Sequence, residues 1–429
     1  QMINVGIKNG NIIERKQITV YRTHHGPVMA KSNNQWISVR SNNRSMTSLI
    51  QSWQRTKATS FKEFQKVMEL VANNSNNTVY ADGEGNIAYW HGNYMPKRNP
   101  RFDWSKPVDG TIKDTEWQGL HKMEETVHLY NPANGWIQNC NSTPFTVAGA
   151  NSPRRENFPP YMAPDDENFR GINAVRLLSG KSMYNLEDLI AVGYDTYLTA
   201  FDILLPSLFG AWASLSNRDP QAYNDLMKPV QLLREWDRRS SEESVATTLA
   251  ILWGEKIMSL VRQIQEDADL TEKLSGYLTR LSDEVKVKML QEVISKLMSD
   301  FGTWNIAWGE INRYQRPDGN LVLKYDDSKP SLPVGFASSA WGSLPSYASR
   351  SVQGAKKRYG YGGNSFICAV EFGKKIKAKS LLAGGVSGNP ESPHFTDQAL
   401  MYTKGQFKDV LFYKEDILKN AERKYHPGE

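Results

Sequence analysis

Asn77-Thr78-Val79-Tyr80-Ala81-Asp82, then Gly83-Glu84-Gly85, then Asn86-Ile87-Ala88-Tyr89-Trp90 is the stretch that decides the fold. β-Branched and aromatic residues fill both arms and glycines punctuate the link, a pattern that predicts a β-hairpin. Just upstream, Phe61, Phe64, Met68 and Val71 recur at helical spacing, predicting an amphipathic helix over 61–71. Earlier still, 16–22 and 35–40 alternate as strands do. Downstream, 96–164 is rich in Pro, Gly, Asn and aromatics without a period, which predicts long packed loops with short strands. From 182 to 300 the period is helical: Asn185 and Asp188 suit a helix start, and Val285, Met289, Val293 and Leu297 share one face. A β-rich run, Ser365-Phe366-Ile367-Cys368-Ala369-Val370-Glu371-Phe372, follows. The class is α+β, in three blocks: a β-rich part with long loops (1–181), a helical region (182–300), and a return to the β core with a C-terminal tail (301–429).

Composition narrows the function. The 429 residues carry 52 Lys+Arg against 46 Asp+Glu, a net charge of only +6, and the basic residues are interspersed with acids, which gives little support for nucleic-acid binding. Cys140 and Cys368 can form at most one bridge, so a disulfide scaffold is excluded. The most apolar run, Leu249-Ala250-Ile251-Leu252-Trp253, stops at Gly254, far short of the roughly 20 residues that span a bilayer.

Local chemical motifs are sparse. His24 and His25 are adjacent, but as neighbours on a strand they would point to opposite faces, so no metal ligand is assigned. Gly360-Tyr361-Gly362-Gly363 lacks the spacing of a dinucleotide or P-loop motif, and no Gly-x-Ser-x-Gly occurs. Asp165-Asp166 and Asp326-Asp327 could serve acid–base work on a sugar, a third and weaker reading, although adjacent loop acids usually face water.

Longer-range motifs carry more. Thr23-His24-His25-Gly26-Pro27-Val28, the hairpin with Pro96-Lys97-Arg98, and Tyr130-Asn131-Pro132 with Gly135-Trp136-Ile137-Gln138-Asn139 resemble, in order and spacing, the β-subunit of penicillin acylase-type amidohydrolases. Trp304, Trp308-Gly309-Glu310, Gly362-Gly363-Asn364-Ser365, and Ser387-Gly388-Asn389-Pro390 with Ser392-Pro393-His394 and Asp397-Gln398 resemble the tail of that family. They are most similar to the branch of acyl-homoserine lactone acylases and aculeacin acylase. The resemblance covers nearly the whole chain.

It implies an αββα N-terminal nucleophile hydrolase sandwich, here a partial β-subunit with a helical insertion. In such enzymes a serine exposed by self-cleavage uses its own α-amine as base. An α-amine titrates near about 7.7–8.0, so no histidine is needed to take the hydroxyl proton. By the same match Asn77 is the oxyanion donor, although on the residues alone it reads as a strand cap within Asn73-Asn74-Ser75-Asn76-Asn77. Arg98 matches an arginine near the substrate mouth. His25-Gly26-Pro27 and Ser392-Pro393-His394 read as packing and turn elements.

Residue 1 is Gln, whose amide is no nucleophile. Ser32-Asn33-Asn34 and Ser41-Asn42-Asn43 echo the family's Ser-Asn-Asn start but lie too close to Asn77. The expectation is that the serine sits on an upstream α-subunit/N-terminal β-segment, without which this chain is inactive. Acyl-homoserine lactones rank first among N-acyl substrates, then penicillins and acylated lipopeptides. A non-catalytic binding module that kept the fold is the alternative from another class. The resemblance further implies export, periplasmic or secreted, and no cofactor; it allows a structural calcium, for which no ligand set stands out.

Overall fold

In the computed structural model of the chain, Thr78–Ala81 pairs antiparallel with Ile87–Trp90, so the predicted hairpin is present, and His128–Tyr130 adds a third strand beside Ile87–Trp90. The structure describes all residues except 43–44, 74–75, 265–267, 318–322, 427 and 429. Asn43, Asn74 and Ser75, quoted above, therefore lie outside the described residues. The chain forms two units: 1–133 with 152–164, and 134–151 with 165–429.

In the first unit, the register sets Tyr80 opposite Ala88 and Ala88 opposite Tyr130, lining up one face of the sheet. The helix Phe61–Met68 covers that face, and Met68, Ala88, Trp90 and Met123 close a small core with Phe61, Phe64, Tyr80 and Tyr130 packed around it. Phe64 lies 4.8 Å from Tyr80 and 5.6 Å from Trp90, ring centre to ring centre, and Trp90 Nε1 donates to the Tyr130 hydroxyl at 3.0 Å. The helix starts where Ser60 Oγ accepts from the Glu63 amide. It stops at Met68 rather than running on to Val71, which takes φ +42°, a left-handed conformation that a β-branched residue rarely adopts. The bonds that hold it there belong to the candidate site.

The amino-terminal part is thinner. Met2–Asn9 and Ile12–Thr19 form a hairpin about Gly10, and Arg22–Thr23, Gly26–Ser32 and Gln35–Ser38 form a second small sheet. The strand expected over 16–22 thus begins earlier and ends at Thr19, with Val20 and Gln1 exchanging backbone bonds as the last rung of the hairpin, and Arg22–Thr23 belongs to the second small sheet. The helix Met46–Arg55 leaves Met46, Leu49, Ile50 and Trp53 exposed along one stripe.

The second unit is built on helices. Asn185 opens Leu186–Gly193 as expected, with a reciprocal bond pair to Asp188. Val245–Val261 is apolar on nearly every side and buries eleven residues, including Leu249, Ala250, Ile251 and Trp253 of the chain's most apolar run. A helix of that kind belongs in a core, and Phe201–Ala213, Met227–Glu235, Leu270–Arg280 and Asp283–Phe301 contribute to the cluster around it. Among the described residues no helix is long and apolar enough to cross a membrane. Trp253 Nε1 donates to the Lys286 carbonyl at 3.0 Å, so the indole satisfies its polar atom while fully buried. The helix Phe169–Leu178 also belongs to this unit, although the sequence reading did not single it out. Two further sheets follow: Leu332–Pro333, Asn312–Tyr314, Arg358–Gly363 and Tyr347–Ser351 in one, and Phe366–Glu371, Lys377–Leu382 and Lys408–Asp409 in the other.

Replacing Trp253 removes one of the largest fully buried side chains of this helix cluster. Trp253→Ala is expected to cost about 3–5 kcal/mol, read as a lower denaturant midpoint at unchanged slope in equilibrium unfolding.

Candidate functional site

Val71, Ala72 and Asn73 lie outside any helix or strand, and Ala72 and Asn73 are buried, so their backbone amides need partners. Gln51 Oε1 accepts from Ala72 N at 2.8 Å, and Asn93 Oδ1 accepts from Asn73 N at 3.0 Å. Asn93 is fully buried, and its Nδ2 donates to the Met68 carbonyl at 2.6 Å. The Tyr94 amide returns a bond to the Asn73 carbonyl, and Asn73 Nδ2 donates to Asn76 O and Thr78 Oγ1. These bonds end the preceding helix early and impose the positive φ of Val71.

Asn77 sits immediately before the strand Thr78–Ala81. Its Oδ1 accepts from the backbone amide of Gly92 at 3.1 Å. An amide anchored through its oxygen has Nδ2 as its donor end, the atom type an oxyanion would need. Gly92 has φ +59°, which glycine adopts without strain.

The hairpin turn is set by one carboxylate. Asp82 Oδ1 accepts from the Glu84 and Asn86 amides, both at 3.0 Å, and Oδ2 accepts from the Tyr80 hydroxyl at 2.8 Å and Asn86 Nδ2 at 3.0 Å. Burial alone would raise the pKa of Asp82, but the bonds from Asn86, Tyr80 and Glu84 together outweigh it and hold the group below the usual carboxylate range. Burial, reinforced by Asp82, pushes Tyr80 up to about 12. At the turn end of the hairpin, Asn131 of Tyr130-Asn131-Pro132 accepts from Ile87 N at 2.8 Å and donates to Asn86 Oδ1. That motif braces the turn from the neighbouring strand.

Arg98 follows Pro96, which bridges to Leu120, and Lys97, whose amide and carbonyl pair with Gly119 and Gln118. Its guanidinium lies over three rings: Trp104 at 5.4 Å, Tyr161 at 5.8 Å and Trp117 at 5.9 Å. Nε is buried and has no hydrogen-bond partner among the described residues. Burial lowers the pKa of Arg98, and Tyr161 partly offsets this; an arginine stays charged throughout. The rings are themselves held, Trp104 by the Asn99 carbonyl and Tyr161 by His121, which also bonds Glu125. A charged fork with an unsatisfied donor among aromatic walls is suited to a planar anion. Gly92, which anchors Asn77, and Arg98 lie on the same short stretch of chain after the hairpin.

Other residues singled out in the sequence have structural work. Asp326 accepts from Ser328, and Asp327 from the Tyr359 hydroxyl and the Lys356 amide, so this pair stabilises a turn. Gly360 to Gly363 lie in the strand Arg358–Gly363. Ser392 caps Pro393–Phe395, and His394 bonds Asp397 at 2.8 Å. Gly26 is required by its neighbour, since a Cβ there would come within 2.1 Å of the Val39 carbonyl oxygen.

The histidine pair departs from expectation. His24 and His25 lie in the turn between Arg22–Thr23 and Gly26–Ser32, not on a strand, so they do not point to opposite faces. Together with Glu116 they make the one group among the described residues in which three His, Cys, Asp or Glu side chains could meet at an ion. Two imidazoles and one carboxylate do not suit calcium, a hard ion that takes about six to eight oxygen ligands.

A family model described as penicillin amidase matches residues 2–419. Over 245 residues, 54% of this chain, the sequence is 29% identical to penicillin G acylase of Escherichia coli, and the match covers 26% of that protein. The chain thus spans about a quarter of the length of this curated relative. The solved structure of a thermostable penicillin G acylase from Alcaligenes faecalis superposes with a TM-score of 0.64 at 18% identity, covering 99% of this chain and 81% of that one. At this identity the likeness shows the fold: the α+β, αββα N-terminal nucleophile hydrolase class expected from the sequence.

Asp82 links the site to pH. Its folded pKa lies below the unfolded value of about 3.9, so its contribution is present above that value and lost as pH falls through the folded pKa. Asp82→Ala should lower the unfolding midpoint at pH 7, with the gap to wild type narrowing below about pH 4, measured by denaturant titration at a series of pH values.

Proposed function

Since this chain belongs to the penicillin amidase family, we propose that it is the larger part of a catalytic subunit that hydrolyses the amide of small N-acyl compounds. The anchored amide of Asn77 carries this reading. Gly92 N–H holds its oxygen, which turns Nδ2 into a preplaced donor for the oxyanion that forms when a nucleophile adds to the amide carbonyl. The nucleophile is a serine on an upstream segment outside this chain, with its α-amine as base. Attack forms the acyl ester and releases the amine, which takes the proton. Water then releases the acid and restores the serine.

The apolar stripe of Met46, Leu49, Ile50 and Trp53 fits a partner segment of that kind, because covering it removes large apolar side chains from water. Arg98 holds the anionic part of a substrate that has one. Acyl-homoserine lactones rank first, on the similarity of the 387–398 tail to that branch, with penicillins and acylated lipopeptides next. The protein is exported, to the periplasm or beyond, by the same family reading.

With the upstream segment co-expressed, Asn77→Ala should lower kcat by about 10²–10³ on a chromogenic fatty-acyl anilide; turnover equal to wild type would sink the oxyanion role. Arg98→Ala should raise KM about tenfold or more for penicillin G, which carries a carboxylate, and change it little for a neutral acyl-homoserine lactone. Equal effects on both substrates would remove Arg98 from anion recognition.

A further inference from the structure

The turn that carries His24 and His25 brings their rings to 3.8 Å between centres. Both approach the same oxygen of Glu116: His24 Nε2 lies 2.7 Å and His25 Nδ1 lies 3.7 Å from Oε1. The three ligand atoms all fall within 4.8 Å of one another. A tetrahedral ion with bonds of about 2.0–2.2 Å keeps its donors about 3.3–3.6 Å apart, so small side-chain shifts would bring this set to ligating distance.

The surroundings orient the set. His25 Nε2 lies 2.9 Å from the Gly110 carbonyl. A carbonyl only accepts, so Nε2 carries the hydrogen, and Nδ1 of the neutral ring keeps its lone pair on the side of Glu116. Gly110 is needed for this approach, because a Cβ would lie 2.8 Å from Nε2. The other oxygen of Glu116, Oε2, accepts from Arg40 Nη1 at 2.8 Å, and the Arg40 guanidinium is itself held over the Trp117 ring at 4.6 Å. Oε1 is thereby turned to the histidines.

We propose that His24 Nε2, His25 Nδ1 and Glu116 Oε1 bind a divalent transition-metal ion of the zinc type, leaving a fourth position for water. Two imidazoles and a carboxylate are a nitrogen and oxygen set that zinc accepts. Without the ion, the Nε2–H of His24 donates to Glu116. On binding, the His24 hydrogen moves to Nδ1, and the ion takes its place between the two side chains. The positive charge of Arg40 repels the ion and moderates the affinity. The site uses neither Asn77 nor Arg98, and it stands whether or not the amidase reading does.

The test is calorimetric titration of the tag-free, metal-stripped full chain with Zn²⁺, with Co²⁺ absorption as a second readout. Wild type should take up one equivalent and give the intense visible bands of tetrahedral cobalt. His24→Gln, a change at a largely exposed side chain, should weaken binding at least about tenfold with circular dichroism unchanged, and Gly110→Ala should weaken it by displacing His25. His121→Gln, at the separate His121–Glu125 pair, should leave it unchanged. No saturable uptake by wild type, or equal affinity in wild type and His24→Gln, would overturn the site.

Discussion

Asn93 is fully buried, and both ends of its side-chain amide are used, one on the amide of Asn73 and the other on the carbonyl of Met68. A buried amide that lost either partner would incur the desolvation cost of the orphaned group, so the two bonds are effectively obligatory. They join the end of the Phe61–Met68 helix, the irregular chain after it and the exit of the hairpin. Asn77 stands directly before the strand Thr78–Ala81, and Gly92, the donor that orients it, directly precedes Asn93. The strained backbone of Val71 is the conformational cost of this arrangement, offset by the bonds on either side of it.

Rigidity is therefore supplied by polar bonds near the site and by apolar packing elsewhere. In the second unit the helix Val245–Val261 is held by burial on nearly every side, whereas the hairpin turn depends on a single carboxylate receiving four bonds. Burial holds a helix without dictating the orientation of an individual amide. Hydrogen bonds are directional, which is what a preplaced donor requires.

Arg98 and the His24–His25 turn illustrate a second use of the loops between residues 96 and 164. The rings around Arg98 come from residues 104, 117 and 161, and the acid that meets the histidines comes from residue 116. These loops have no period of their own because their side chains are chosen for particular partners and not for a repeating face.

The sequence by itself determined the hairpin, the helix before it, the Asn185 cap and the helical middle of the chain, because those depend on periodicity and turn chemistry within a few residues. It also carried the motif match that singled out Asn77 and Arg98. Only the tertiary structure decided that Asn93 anchors the approach to Asn77, that Arg98 sits among three rings, and that two adjacent histidines share one acid. The His24–Glu116 contact spans 92 residues of chain, and no local pattern records a pairing at that separation. The histidines were misread for a related reason: alternation of faces holds for a strand, and the tight connection between Arg22–Thr23 and Gly26–Ser32 makes them a turn.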